Sequence, residues 1–161
     1  MNYRYGDQPE RLPRSMIRPI RSPRPGKLVS WVGATGVEFL SEEDFHRFDR
    51  EALGPFPRNS DGSVDWSQVP EEFVLEACWA DEFAWSEVGS KWLDSATENI
   101  IFCWGGGRPS IRLSPDMLEQ HLPAVVEGIQ EFCIYAPEVG ILVEKTPFAG
   151  VTVARIPAKD T

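Results

Sequence analysis

Proline is distributed so unevenly that it divides the chain into two parts. Five of the 14 prolines fall within the first 27 residues, at Pro9, Pro13, Pro19, Pro23 and Pro25. Each one fixes its φ angle and lacks a backbone donor, so this density excludes a helix or a central strand. Residues 1–27 are therefore predicted to form an extended arm, which Met16, Ile17 and Ile20 could anchor to the core. The folded domain must then be built from residues 28–161.

Charge divides the chain at the same place. Residues 1–27 carry seven basic and two acidic residues and residues 28–161 carry nine basic and 23 acidic, so the formal charges are +5 and −14. A domain this acidic repels phosphate, which disfavours nucleic acid as a partner except through the basic arm. The arm is interpreted as disordered or draped over the domain, with contact to nucleic acid or an acidic partner as the alternative.

The composition also bears on location. No apolar stretch approaches the roughly 18 residues of a membrane span, and the N-terminal residues lack the apolar core of a secretory signal. A cytoplasmic protein without membrane contact is therefore expected. Its three cysteines, Cys78, Cys103 and Cys133, are odd in number and far apart, which favours reduced thiols over disulfides.

Beyond Lys27, alternating apolar residues and turn residues predict a single α+β domain with a mainly antiparallel sheet and two or three helices. Hairpins are predicted near residues 28–40, 99–114 and 140–157. A helix is predicted to follow Ser41, whose side chain can cap it, and to end before Gly54.

Two further helices are predicted from apolar spacing. The first covers Glu71–Phe83, although the letters FVLEACW within it also fit a strand. The second covers residues 115–135, with Pro123 expected to kink or split it. Its apolar stripe comprises Leu118, Leu122, Val125, Val126, Ile129, Phe132 and Cys133.

The glycine run Gly105–Gly107 raises the question of a phosphate-binding loop. Such a loop needs a helix directly after the glycines, because the helix N-terminus supplies the free N–H groups. Here a strand-like segment follows, and a helix is predicted only from Pro115. The spacing also fits neither common nucleotide-binding motif. The run is therefore predicted to be a hairpin loop.

Metal and cofactor sites are not expected. No paired histidine or cysteine spacing suggests zinc. The letters NSDGSVD do not fit an EF-hand loop either, because with Gly62 at its sixth position the first and twelfth positions fall on Pro57 and Gln68, which supply no carboxylate. Cys103 with His121 is the one thiol–imidazole pair that could serve as a nucleophile and base. A cysteine within an apolar strand is more often a buried, inert thiol.

Acidic residues and tryptophans alternate through the middle of the chain. Carboxylates steer a basic partner and tryptophan is frequent at interface hot spots, so this segment is a candidate partner-binding surface. The candidate residues are Glu71, Glu72, Glu76, Trp79, Asp81, Glu82, Trp85 and Glu87. The alternative is a solvated helix face with its tryptophans in the core.

These features favour a non-catalytic acidic domain that docks onto or neutralises a basic protein. The similarity to bacterial immunity proteins and inhibitors is one of size and charge. A second hypothesis is a small enzyme or ligand-binding domain with a pocket near Cys103, Arg108, Arg112 and His121. A third is an assembly protein that uses the N-terminal arm. The oligomeric state stays open.

Overall fold

The structure of the chain, a computed structural model, describes residues 5–6, 37–94, 96–104, 107–146 and 150–157. Within these residues seven strands form one sheet: β1 (Val37–Phe39), β2 (Val74–Trp79), β3 (Asn99–Phe102), β4 (Ile111–Leu113), β5 (Phe132–Ala136), β6 (Ile141–Lys145) and β7 (Gly150–Arg155). Three α-helices accompany it: α1 (Glu42–Ala52), α2 (Val88–Trp92) and α3 (Pro115–Gly128). The prediction of an α+β domain is confirmed.

The strands are ordered β1-β4-β3-β5-β6-β7-β2, and every neighbouring pair is antiparallel. The hairpins predicted near residues 99–114 and 140–157 are β3–β4 and β6–β7. Since β4 follows the glycine run and α3 begins only after β4, the run joins two strands, as predicted. Of the hairpin predicted near residues 28–40, only β1 lies in the described residues.

Apolar side chains fill both faces of the sheet. One core lies beneath α2 and α3 and includes Ile101, Phe132 and Val143. The other lies beneath α1 and the segment that follows it, and includes Phe48 and Leu142. The central strand β5 contributes to both, because alternate side chains point to opposite faces.

Helix α1 forms where the sequence predicts it. The backbone N–H of Asp44 donates to the Ser41 hydroxyl over 3.1 Å, which caps the first turn. Phe45, Phe48 and Ala52 are buried along one face, so the helix lies flat on the sheet.

The helix predicted over Glu71–Phe83 is wrong. A short 3-10 turn over Glu71–Phe73 leads into β2, which pairs with β7 along one edge of the sheet. The spacing of its apolar residues fits a helix, but β7 offers a row of backbone donors and acceptors that a helix would leave unpaired. Tertiary pairing therefore overrides the local pattern.

The helix predicted over residues 115–135 ends earlier, at Gly128. Ile129 already has extended backbone angles, and Phe132 and Cys133 belong to β5, where they face opposite cores. An unbroken apolar run fits a buried strand as well as a helical stripe, which explains the error. Pro123 does not split α3. It lies on the exposed side, where water can satisfy the carbonyl that loses its partner.

One residue of the predicted arm is described in contact with the domain. The Tyr5 hydroxyl donates to the Leu40 carbonyl oxygen over 2.9 Å and accepts from the Ser110 N–H over 2.7 Å. Its ring centroid lies 5.4 Å from that of Phe45. Tyr5 thus links the segments that follow β1 and precede β4. The anchors suggested from sequence, Met16, Ile17 and Ile20, lie outside the described residues.

We expect Tyr5→Phe to lower the free energy of unfolding by about 1–3 kcal/mol, because it leaves a buried donor and an acceptor without a partner. Urea unfolding followed by circular dichroism measures the change. Tyr5→Leu should cost more, since it also removes the ring contact with Phe45. Equal stability of Tyr5→Phe and wild type would show that the hydroxyl does not hold these segments together.

Candidate functional site

The eight residues proposed from sequence for partner binding follow one edge of the sheet. Glu71 and Glu72 lie in the 3-10 turn before β2, and Glu76 and Trp79 lie on β2. The remaining four lie in the turn after β2 and in the 3-10 turn that leads into α2: Asp81, Glu82, Trp85 and Glu87. They belong to four short segments, whereas the sequence predicted one helix over Glu71–Phe83 for the first six of them.

Trp79 is the most unusual of these side chains. It is 60% exposed, and no other large apolar side chain in the described residues is classed as exposed. It stands at the end of β2 opposite Gly150, a residue without a side chain to cover it. A solvated indole of this kind is the usual starting point of an interface hot spot.

Carboxylates without described cationic partners flank both ends of β2. Glu71, Glu72, Asp81 and Glu82 are exposed and form no ion pair with any described residue. Only Glu76 is paired, through its Oε1 at 3.7 Å from Lys91 Nζ. The edge therefore presents negative charge that the described residues do not neutralise.

The outer side of β2 has no neighbouring strand among the described residues. β2 pairs with β7, and no other described strand lies beyond it. A bulge between Val74 and Glu76 interrupts the register. Bulges and charged side chains are common means of protecting an edge strand against unwanted pairing.

Trp85, in contrast, does not belong to an exposed surface. Its ring packs at 4.6 Å from Phe83 and 5.7 Å from Phe132, measured between centroids. Trp85 is therefore half-buried, and its part in partner binding stays a prediction. The turn after β2 folds back over the sheet and places this indole against the core.

A cavity of about 660 Å³ lies between the segment from Trp85 to Asp94 and helix α3. Leu93, Leu118 and Leu122 supply part of an apolar lining, and Asn99 reaches it from β3. The Asn99 side chain is buried, and its Oδ1 has no hydrogen-bond partner in the described part of the chain. Nothing in the sequence pattern singles out Asn99.

A smaller cavity of about 390 Å³ lies beside β1 and β4. Arg112 lines this cavity and forms two ion pairs. Its Nη1 lies 2.5 Å from Glu38 Oε2, and its Nε lies 2.9 Å from Glu98 Oε2. The guanidinium is thus occupied by two carboxylates, which leaves less of its charge for an anionic ligand.

The residues suggested for an enzyme site are not gathered around one cavity. Arg112 lies on the α1 side of the sheet, with its guanidinium over the Phe48 ring, whereas His121 is buried on α3, which packs on the other side. Arg108 donates to the Glu131 carbonyl oxygen over 3.0 Å. Cys103, Arg108 and His121 line neither of the two cavities.

Burial shifts the pKa of one group of this alternative, His121, and of two cysteines outside it. Burial lowers the pKa of His121 and raises the pKa of the Cys133 thiol well above its usual value. The pKa of Cys78, on β2, is also raised, first by burial and then by nearby carboxylates such as Glu76. A nucleophilic thiol needs the opposite shift.

Sequence reasoning missed Glu144, the most buried carboxylate of the described residues. It lies on β6, is 1% exposed, and accepts hydrogen bonds from the Val64 N–H over 3.0 Å and Trp66 Nε1 over 2.8 Å. One signal was available, namely an acidic residue inside the apolar letters ILVEK. Its contacts fasten the segment after α1 to the sheet.

The described residues contain neither a candidate metal cluster nor a candidate membrane-spanning helix. No group of three histidine, cysteine or acidic side chains is placed to hold a metal ion. No helix in that part of the chain has the length and apolar character needed to cross a membrane. The chain as a whole matches no protein-family model and shows no significant similarity to a curated protein.

Proposed function

We propose that this protein is a non-catalytic acidic domain that docks onto a basic protein partner, in the manner of an inhibitor or immunity protein. The docking surface consists of β2 and its flanking turns, and Trp79 is its centre. The single observation that carries the proposal is the 60% exposure of Trp79 among carboxylates that have no cationic partner within the described residues.

The two kinds of side chain contribute differently to binding. Exposed carboxylates attract a basic partner over a distance of about one Debye length, roughly 8–10 Å, so they raise the association rate and salt weakens the effect. An indole acts after contact, because its burial stabilises the complex and slows dissociation. The surface should therefore show a separable charge effect and tryptophan effect.

The test begins with affinity capture from the native host, using wild type and two charge-reversed proteins of equal net charge as bait. One variant carries Glu72→Lys and Asp81→Lys on the docking surface. The matched control carries Glu43→Lys and Glu127→Lys, exposed positions on α1 and α3. A basic protein captured by wild type and by the control, but not by the surface variant, is the partner that the proposal requires.

Binding kinetics with that partner at two salt concentrations then measure each contribution. We expect the surface variant to lower the association rate at low salt by at least tenfold and to flatten its salt dependence. Trp79→Ala should weaken binding by about 2 kcal/mol, mainly through faster dissociation. Unchanged rates for both variants, or an equal loss in the charge-matched control, would contradict the proposal.

Stability must be measured in parallel, because a binding defect from misfolding is uninformative. Trp79→Ala is expected to change the free energy of unfolding by no more than about 0.5 kcal/mol, as at other exposed positions. Glu76 is left unchanged in all variants, because it contacts Lys91 and its reversal would place two lysines together.

A further inference from the structure

No residue of β2 lines the cavity between α3 and the segment from Trp85 to Asp94. Its volume of about 660 Å³ falls within the range of about 300–1,000 Å³ that is usual for small-molecule sites. Side chains of Leu93, Leu118, Leu122 and Val126 make much of its wall apolar. An apolar ligand body would displace water from these surfaces.

Two buried polar atoms at this cavity lack partners. Asn99 is 1% exposed, and neither its Oδ1 nor the Nε1 of Trp85 makes a hydrogen bond within the described residues. Both residues line the cavity. Buried polar groups are nearly always paired, and an orphan marks strain, water or a ligand. One atom accepts and the other donates, so a ligand group that both donates and accepts, such as a carboxamide, can satisfy both.

Three acidic side chains that line the same cavity are exposed to solvent and form its rim. Asp94, Asp116 and Glu119 are exposed and form no ion pair with any described residue. Their charge favours a cation and opposes a carboxylate or phosphate. The cavity therefore fits a ligand with three parts. These are an apolar body for the wall, a group that both donates and accepts for the two buried atoms, and a cation for the exposed carboxylates.

We propose that this cavity is a binding site for a small organic cation that carries an amide group on an apolar body. The amide bonds to Asn99 Oδ1 and Trp85 Nε1, the body lies against Leu118 and Leu122, and the cationic group lies among the rim carboxylates. The site is separate from the protein-docking surface, so either proposal can fail without the other.

The probe is 4-(aminomethyl)benzamide, which holds a carboxamide and an ammonium group at opposite ends of an aromatic ring. Its matched controls are 4-methylbenzamide, which lacks the cation, and 4-methylbenzylamine, which lacks the amide. Titrations are followed in two-dimensional 1H–15N spectra by the indole N–H signal of Trp85, assigned with Trp85→Phe. We expect saturable binding at least tenfold tighter than that of either control, with a shift of the indole signal.

Three variants test the placement. Asn99→Leu keeps the number and branching of the non-hydrogen side-chain atoms and removes the acceptor, so it should reduce probe affinity at least tenfold and abolish the preference over 4-methylbenzylamine. Leu122→Trp should block the cavity and abolish binding. Glu127→Gln, on α3 but outside the lining, should bind the probe as wild type does.

The proposal is overturned if the probe shows no saturable binding up to its solubility limit, or if it binds no better than the two controls. It is also overturned if Asn99→Leu, shown to be folded by its spectrum, binds the probe as tightly as wild type. If Leu122→Trp still binds the probe, the probe binds outside this cavity, and the proposal is overturned as well.

Discussion

Replacing Glu144 by leucine is expected to lower the free energy of unfolding by about 2–5 kcal/mol. The carboxylate accepts from the Val64 N–H and from Trp66 Nε1, and leucine leaves both donors without an acceptor. Relief of the burial of a charge offsets part of this loss. Urea unfolding at neutral pH measures the change, and the fold should survive because both cores are untouched.

A double-mutant cycle with Trp66→Phe separates the hydrogen bond from general packing. Trp66→Phe alone should be destabilising, since it leaves one carboxylate oxygen without its donor. The same change in the Glu144→Leu background should cost less, because its partner is already gone. If the two effects simply add, the contact contributes nothing specific and the segment after α1 is held by its apolar side chains alone.

The pH dependence gives an independent check. Burial raises the pKa of Glu144 above its ordinary value of 4.5, and it outweighs the hydrogen bonds from Val64 and Trp66, which lower it. A raised pKa in the folded state means that this group stabilises most when protonated, and that the contribution is lost as the pH rises above 4.5. The stability of wild type relative to Glu144→Gln should therefore fall with rising pH. A difference that grows with pH would show that the hydrogen bonds dominate.

The fold class was predictable because it depends on short-range patterns. Ser41 and Ser114 both cap helices that begin directly after them, and the β3–β4 and β6–β7 hairpins join neighbours in sequence. These elements are specified by the residues within them. Caps and turns of this kind can be identified without knowledge of the rest of the chain.

The errors arise where distant residues decide the outcome. β2 pairs with β7, more than 70 residues further along the chain, so its local helical spacing is overridden. The apolar run after Gly128 enters the sheet as β5 because β3 and β6 flank it on both sides. No local window around β2 contains β7, whereas β5 is followed closely by β6 and depends on the more distant β3 for its other neighbour.

The burial of the two candidate tryptophans was not predictable from sequence. Trp79 lies in solvent as the docking hypothesis requires, but Trp85 is packed against Phe83 and Phe132, and sequence alone could not tell the two indoles apart. Asn99 was missed because a lone asparagine before an apolar strand carries no local signal. Asn99 becomes a candidate binding residue only in the folded structure, where it is buried and lines a cavity next to α3.

Phe132→Ala is expected to lower the free energy of unfolding by about 3–5 kcal/mol, the usual cost of removing a buried aromatic ring. Phe132 is 1% exposed on the central strand β5, so the structure around it has little freedom to collapse into the space. Phe132→Leu should cost less than half as much. Thermal and urea unfolding measure both variants.

The same ring connects the core to the cavity wall, because its centroid lies 5.7 Å from that of Trp85. A double-mutant cycle between Phe132→Leu and Trp85→Leu should give a coupling of about 0.5–1.5 kcal/mol, as measured for aromatic pairs. The matched cycle with Trp79→Leu should give none, since Trp79 is solvated at the sheet edge. Equal coupling in both cycles would mean that the two tryptophans share one environment, and the separation between docking surface and cavity would be lost.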